Sequence, residues 1–554
     1  MKAAEIFVRQ LEEEGVTCLF GLPGEENLHL LEALRKANLK VVITRHEQAA
    51  AFMAASYGRL TGKVGVCFST LGPGATNLIT GVAHAQLIGA PMVSISAQKP
   101  IRENWQAKFQ LVDVIGLMKP ITKKTFSIFN PNTIPTVLRE AFKTAEAERP
   151  GAVHIELPED IADEKTNAGV QKRGEVRRPA PDPKSIDRAV ELIERAKNPL
   201  IIVSSGANRK RITPDLLGFL RKTGIYVVHT QMGKGVIADD CEYSLFATGI
   251  HKHDYVNCGI DRADLIITVG YNISEYPPFL WNRNLDKTIL NIDFVESEPD
   301  QYFNPAVEVI GDISRSFRKI TEAVQSDRSF PAFARTRSLV EKKIQEKVES
   351  RYPPLPQEVV KGVREALSPE DIVVLDNGIY KLWFSRLYPT FKANTFLLDN
   401  ALATMGAGLP SGIVAKMLFP ERKVLAVVGD GGFMMNSQEL ETAIRYRIPI
   451  VVLLLNDNAY GFVKMKQRIL NLENFGMDLS NPDFVKYAES FGARGMRVER
   501  GDSLPQVLTR AFQSNEVALV ECPIDYSVNY DVFSVELGQI VCPEDGSISS
   551  GVPG

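Results

Sequence analysis

The chain has 554 residues, 44% of them hydrophobic and 24% charged, enough for several cores of ordinary soluble composition. A net charge of −3 provides no basic surface for nucleic acid or an anionic membrane, and the longest apolar runs, such as IPIVVLLL at 448–455, are far too short to cross a bilayer. Six cysteines (Cys18, Cys67, Cys241, Cys258, Cys522, Cys542) are scattered with no CxxC pair, which points to reduced thiols and a cytoplasmic protein.

The opening MKAAEIFVRQLEEEG carries the pattern of an amphipathic helix and not that of a secretory signal. Short apolar strands then alternate with helical stretches: TCLFGLPG, LKVVITRHE, VGVCFST, APMVSISA and GAVHIELP. Such alternation predicts a parallel sheet covered on both faces, here a first domain over 1–166. Residues 167–185, charged and containing three prolines, read as an extended linker. The alternation resumes over 186–350 with PLIIVSSG, IYVVHT, DLIITVG and TILNIDF. After RYPPLP a third domain, 351–535, contributes DIVVLDNG, TFLLDN, KVLAVVGDGG, PIVVLLLND and VALVECP. Residues 536–554 read as a flexible tail. The predicted fold class is α/β, with three consecutive domains, each a central parallel sheet flanked by helices.

Within the third domain, 427–461 reads strand, glycine turn, helix, strand, acidic turn. Ligands of open parallel sheets sit beyond the carboxyl ends of the strands. Gly429, Gly431 and Gly432 let the backbone approach a diphosphate closely, and the helix that follows offers free N–H groups. Asp430 and Asp457 are 27 residues apart, room for a helix and the next parallel strand, so both fall at one sheet edge. Together they can clamp one cation over one diphosphate, the usual way a protein holds magnesium. A further glycine-rich turn, TMGAGLP, places Met405 where a cofactor ring can reach it.

These motifs, with RHEQAAAFMAASYGRLTGKVGVCFSTLGPGATNL at 45–78, resemble the thiamine-diphosphate enzymes, and most closely the acetolactate synthases, over 1–529. The resemblance implies the following roles. Glu47 hydrogen-bonds the aminopyrimidine ring and promotes loss of the thiazolium proton. Gln110 is an active-site glutamine. Ala403, Met405, Gly429, Gly431, Gly432 and Tyr460 contact the cofactor, with Met405 holding it bent. Asp430, Asp457 and the Ala459 carbonyl bind Mg2+. The implied reaction decarboxylates one pyruvate and adds the hydroxyethyl carbanion to a second, giving 2-acetolactate and CO2. The implied assembly is a homodimer or homotetramer with active sites between subunits.

Details of the sequence resemble the flavin-free catabolic branch of that family. YNISEYPPFLWN (271–282) stands where biosynthetic relatives carry an Arg-Phe-Asp-Asp segment and bind FAD, so FAD is expected to be dispensable. Asp457 replaces an asparagine, and Lys466 stands in place of a tryptophan that selects 2-oxobutyrate. Leu111 replaces a glutamate, and Ile379, in DNGIYKLW, offers no side-chain hydrogen bond to a diphosphate. The alternative reading is a 2-oxo acid decarboxylase that releases an aldehyde. Such enzymes carry a His-His pair in the first domain, whereas His46 and His84 stand singly.

Overall fold

The computed structural model describes residues 1–101, 109–174, 178–209, 212–251, 254–325, 328–346, 348, 350–542 and 549–550. The first sheet comprises β1 (Cys18–Gly21), β2 (Lys40–Ile43), β3 (Gly65–Ser69), β4 (Met92–Gln98), β5 (Lys124–Ser127) and β6 (Ala152–Pro158), in the order β2-β1-β3-β4-β6-β5. The central sheet comprises β7 (Pro199–Val203), β8 (Tyr226–His229), β9 (Ser244–Ala247), β10 (Leu265–Val269), β11 (Thr288–Asp293) and β12 (Val307–Ile310), in the order β12-β11-β10-β7-β8-β9. The third comprises β13 (Ile372–Leu375), β14 (Phe396–Leu397), β15 (Val424–Gly429), β16 (Val451–Asn456), β17 (Arg494–Arg497) and β18 (Ala518–Pro523), in the order β14-β13-β15-β16-β18-β17. The first and third sheets thus share one strand order. The central sheet has the doubly wound order, with its switch point between β7 and β10.

Every pairing within these three sheets is parallel, and the inner strands are mostly buried, β7 (PLIIV) and β10 (LIITV) along their whole length. Burial on both faces is why they read as continuous β-branched runs without alternation. No helix among the described residues is long and apolar enough to cross a membrane.

The first and third domains of one chain face each other through helices. Ser56, on the helix Glu47–Thr61, donates to Ser411 on Gly408–Leu418 at 2.8 Å. The Glu439 carboxylate accepts the backbone N–H groups of Arg45 and His46 at 3.1 Å, and Tyr446 Oη accepts that of Ile43 at 2.8 Å. The central domain meets the third through Asp239, which accepts from Thr390 N at 2.8 Å, and through Arg386 to Asp254 at 3.2 Å.

Three expectations are corrected. The single helix predicted after the glycine turn is two, Asp430–Asn436 and Glu439–Arg445. The chain breaks there because the Asn436 amide is drawn to Gly406 O (2.8 Å) and Glu439 to the first domain. The tail predicted to be flexible over 536–554 is packed at its start, where Leu537 and Ile540 are buried next to Phe533, whose ring centroid lies 4.8 Å from that of Trp383; 543–548 and 551–554 lie outside the described residues. That packing carries Cys542 back to the central helix Tyr255–Arg262, where it forms a disulfide with Cys258. The other four cysteines are free thiols, so the expectation of six fails for this pair.

Candidate active site

β15 and β16 are adjacent and in register, Gly429 opposite Leu455, so Asp430 and Asp457 leave the sheet from neighbouring strand ends. Asp430 is buried, and the Asn481 amide donates to its Oδ2 at 2.7 Å while lying 3.1 Å from both Asn456 Oδ1 and Asn458 Oδ1. Burial pushes the Asp430 carboxyl above the usual carboxylate range. Burial, and then the charge of Asp430, push Asp457 up to about 7. Two such carboxylates repel until a cation comes between them. Among the described residues no cluster of three or more His, Cys, Asp or Glu could bind a metal ion. Further ligands must therefore come from backbone, from amides or from a bound molecule; the Ala459 backbone, lining the same cavity, is in place for this. An all-oxygen set of this kind suits magnesium.

The cavity above these carboxylates is lined by Gly429, Gly431, Gly432, Met405 and Tyr460, together with Ile379, Tyr380 and Tyr526. At two positions of its floor a side chain would clash. A Cβ on Gly431 would fall 2.7 Å from the Tyr460 ring, and one on Gly432 would fall 2.6 Å from Asp376 Oδ2. This backbone cradle fits a diphosphate. Asp376 fixes the Met405 turn, accepting from Gly406 N at 2.9 Å and Asn377 N at 2.8 Å. Burial pushes Asp376 up to about 6, against the pull of those backbone donors. Ala403 lies on the same turn but outside the cavity lining, exposed, with its N–H bound to Asp399 Oδ2 at 2.8 Å.

Glu47 opens the helix Glu47–Thr61, whose cap is His46: its Nδ1 accepts from Gln48 N at 3.1 Å. The Glu47 side chain is 5% exposed and accepts from Asn77 Nδ2 at 3.0 Å. A Cβ on Gly74 would approach Glu47 Oε1 to 3.2 Å, and one on Gly72, at φ +44°, would fall 2.3 Å from the Gln110 carbonyl. Glu47 and Gln110 therefore flank one turn, with Gln110 itself exposed. Ala107 and Lys108, just before it, lie outside the described residues. His84 is buried and held by Asp399 Oδ2 and Thr404 Oγ1, each 3.1 Å from Nδ1.

One chain thus brings the cation pair, the glycine cradle, Met405 and Tyr460 into one cavity, and sets Glu47 and Gln110 together at a separate place. Every described residue lining this cavity belongs to the third domain. Sequence reasoning did not find Asn481 or Tyr526. Asn481, in LSNPDF, reads as an ordinary turn residue. Tyr526 lies three residues past the end of β18, next to β16 in the sheet, and the rule that ligands sit beyond strand ends could have flagged it.

Comparison with known proteins agrees along the chain. Residues 1–117 match the thiamine pyrophosphate enzyme N-terminal TPP binding domain, 186–320 the central domain and 358–522 the C-terminal TPP binding domain. The chain is 34% identical over 552 residues to acetolactate synthase from Bacillus subtilis (strain 168), spanning 97% of this chain and 95% of that protein. It is 33% identical to the probable acetolactate synthase large subunit of Methanococcus aeolicus, over 95% of this chain and 92% of the relative. It is 31% identical to the catabolic acetolactate synthase of Raoultella terrigena, over 95% of each. Similarity of this extent, through all three domains in the same order, means that the chain belongs to the acetolactate synthase family of thiamine-diphosphate enzymes.

Proposed function

We propose that the protein is an acetolactate synthase that takes pyruvate as both donor and acceptor, uses thiamine diphosphate with Mg2+, and needs no flavin. The observation that carries this reading is the pair of carboxylates at adjacent strand ends, Asp430 buried and Asp457 half-buried, over a floor where a Cβ on Gly431 or Gly432 would clash. Asp430, Asp457 and the Ala459 carbonyl hold the magnesium ion, and the backbone of Gly429, Gly431 and Gly432 takes the diphosphate. Bound there, thiamine diphosphate supplies a carbon nucleophile for the 2-oxo group and a sink for the electron pair released with CO2. Glu47, nearly buried and with one oxygen on Asn77, serves as the proton partner of the aminopyrimidine. Gln110, a neutral amide, orients the acceptor carbonyl without supplying a proton.

The separation of Glu47 from the diphosphate cavity supports a site completed by a second copy, in a homodimer or homotetramer. Apolar side chains beside that cavity are exposed in one chain: Met434, Met435, Phe462 and Val463. A second copy would cover them.

The flavin-free reading is supported at the central switch point. The segment after β10 builds an aromatic cluster: Tyr271 stacks on Phe303 at 5.0 Å, and Trp281 Nε1 donates to Tyr271 Oη at 2.8 Å. Against the decarboxylase alternative stand the two histidines, His46 engaged as a helix cap and His84 held between Asp399 and Thr404. Product analysis with pyruvate, thiamine diphosphate and Mg2+ tests the reading. The expected main product is 2-acetolactate, and 2-oxobutyrate should gain no advantage as acceptor with Lys466 on the helix after the metal turn. Acetaldehyde as the dominant product would place the protein among the decarboxylases.

A further inference from the structure

The diphosphate cavity holds a polar group that neither the sequence motifs nor the family comparison assigns. Tyr526 forms the wall between this cavity and an outer groove lined by Lys464, Arg468 and Tyr530, with Asp457 and Gly461 facing both spaces. Its place is fixed by β18, since Ile524 N donates to Asn456 O at 3.1 Å, which ties the start of this segment to the end of β16. The Tyr526 hydroxyl is buried and has no hydrogen-bond partner. A buried hydroxyl without a partner costs about 1–3 kcal/mol, so such a group persists where something else repays it.

The surrounding side chains show what is missing. Ile379, buried in the same cavity, presents only hydrocarbon to a ligand. The Asn377 amide is turned away, its Nδ2 to Thr404 O (3.2 Å) and Asp399 O (3.4 Å) and its Oδ1 to Lys381 Nζ (2.7 Å). Tyr380 Oη accepts from Gly429 N at 3.0 Å, which leaves its own hydrogen to donate. The cavity wall therefore combines two carboxylates, which call for a cation, with two tyrosines whose hydroxyls each keep a hydrogen to donate, which suits an anionic oxygen.

We propose that the Tyr526 hydroxyl donates a hydrogen bond to an oxygen of the cofactor's diphosphate, making the contact that the side chain of Ile379 cannot make. This inference rests on the thiamine-diphosphate reading of the cavity. It makes Tyr526 a binding residue supplied from the far side of the sheet end, beyond both motifs that identify the site.

The test is Tyr526→Phe, which removes one oxygen atom and keeps the ring. Calorimetric titration with thiamine diphosphate at saturating Mg2+ should show affinity weakened about tenfold to a hundredfold, the worth of a hydrogen bond to a charged group. The thermal midpoint of the cofactor-free variant should equal or exceed that of wild type, because the lost hydroxyl bonds nothing in the free protein. Affinity within about twofold of wild type overturns the proposal. So does a cofactor-free midpoint that falls by several degrees, whatever the affinity, because the hydroxyl would then act through the fold. Failure of the wild-type protein itself to bind thiamine diphosphate would instead sink the reading on which the proposal rests.

Discussion

Replacing Asp457 by asparagine reads the cation site through stability before any activity is measured. Without metal, burial and the neighbouring Asp430 raise the Asp457 carboxyl from 3.8 to about 7. A carboxyl whose folded pKa is raised adds its full stability below the unfolded pKa and loses it as pH rises through the folded value. The metal-free protein therefore weakens between about pH 4 and pH 7 through this group. A rise of roughly three units at ~1.4 kcal/mol each gives about 4 kcal/mol, and solvent at this partly exposed side chain lowers that to about 2–4 kcal/mol. The Asp457→Asn variant lacks the charge and so lacks the penalty. In EDTA at about pH 8 it should melt several degrees above wild type, since ~1 kcal/mol moves a domain of this size by about 2–4 °C. At about pH 5 the gap should narrow. Added Mg2+ and thiamine diphosphate should stabilise wild type more than the variant, because the amide offers the cation a neutral oxygen in place of a charged one. Scanning calorimetry at the two pH values decides the matter: identical pH dependence in the two proteins, or equal stabilisation by the ligands, would refute the clamp.

Glu47→Gln preserves size and most hydrogen bonding and should lower turnover by roughly 100-fold, the scale of one acid–base group. Exchange of the cofactor's C2 proton, followed by NMR, should slow in parallel, and unchanged exchange would reduce Glu47 to a structural residue. Activity of extensively dialysed protein should be fully restored by thiamine diphosphate and Mg2+. A further rise on adding FAD would contradict the flavin-free reading.

The parts of the fold most legible in the sequence are the strands whose burial is nearly complete, although the half-buried edge strand β2 is also legible from its β-branched run. β7, β10, β15 and β16 announce themselves as apolar runs because both faces of an inner parallel strand are covered. Within the three parallel sheets, the four strands that escaped, β5, β9, β12 and β17, are all edge strands. β5 and β17, KTFS and RGMR, are largely half-buried and carry no pattern that separates them from loop. At the site, Asp430 and Asp457 could be found because each directly follows a long strand. Asn481 reaches Asp430 only through the tertiary path of a loop, and Tyr526 matters through a hydroxyl whose lack of a partner no sequence displays. Cys258 and Cys542, 284 residues apart, form no local spacing to read.

That disulfide also changes the topology of the polypeptide. It closes a covalent ring from 258 to 542, and the whole of the third domain lies on the ring. Closing a loop of this length removes on the order of 5 kcal/mol of chain entropy from the unfolded state. A single backbone cleavage anywhere on the ring, for example in the loop around Asn481, opens it without freeing a fragment. The two pieces stay joined on a non-reducing gel and part only after thiol treatment. For the oxidised protein, one proteolytic cut on the ring therefore leaves both parts of the domain that bears the carboxylate pair covalently tethered to the rest of the chain.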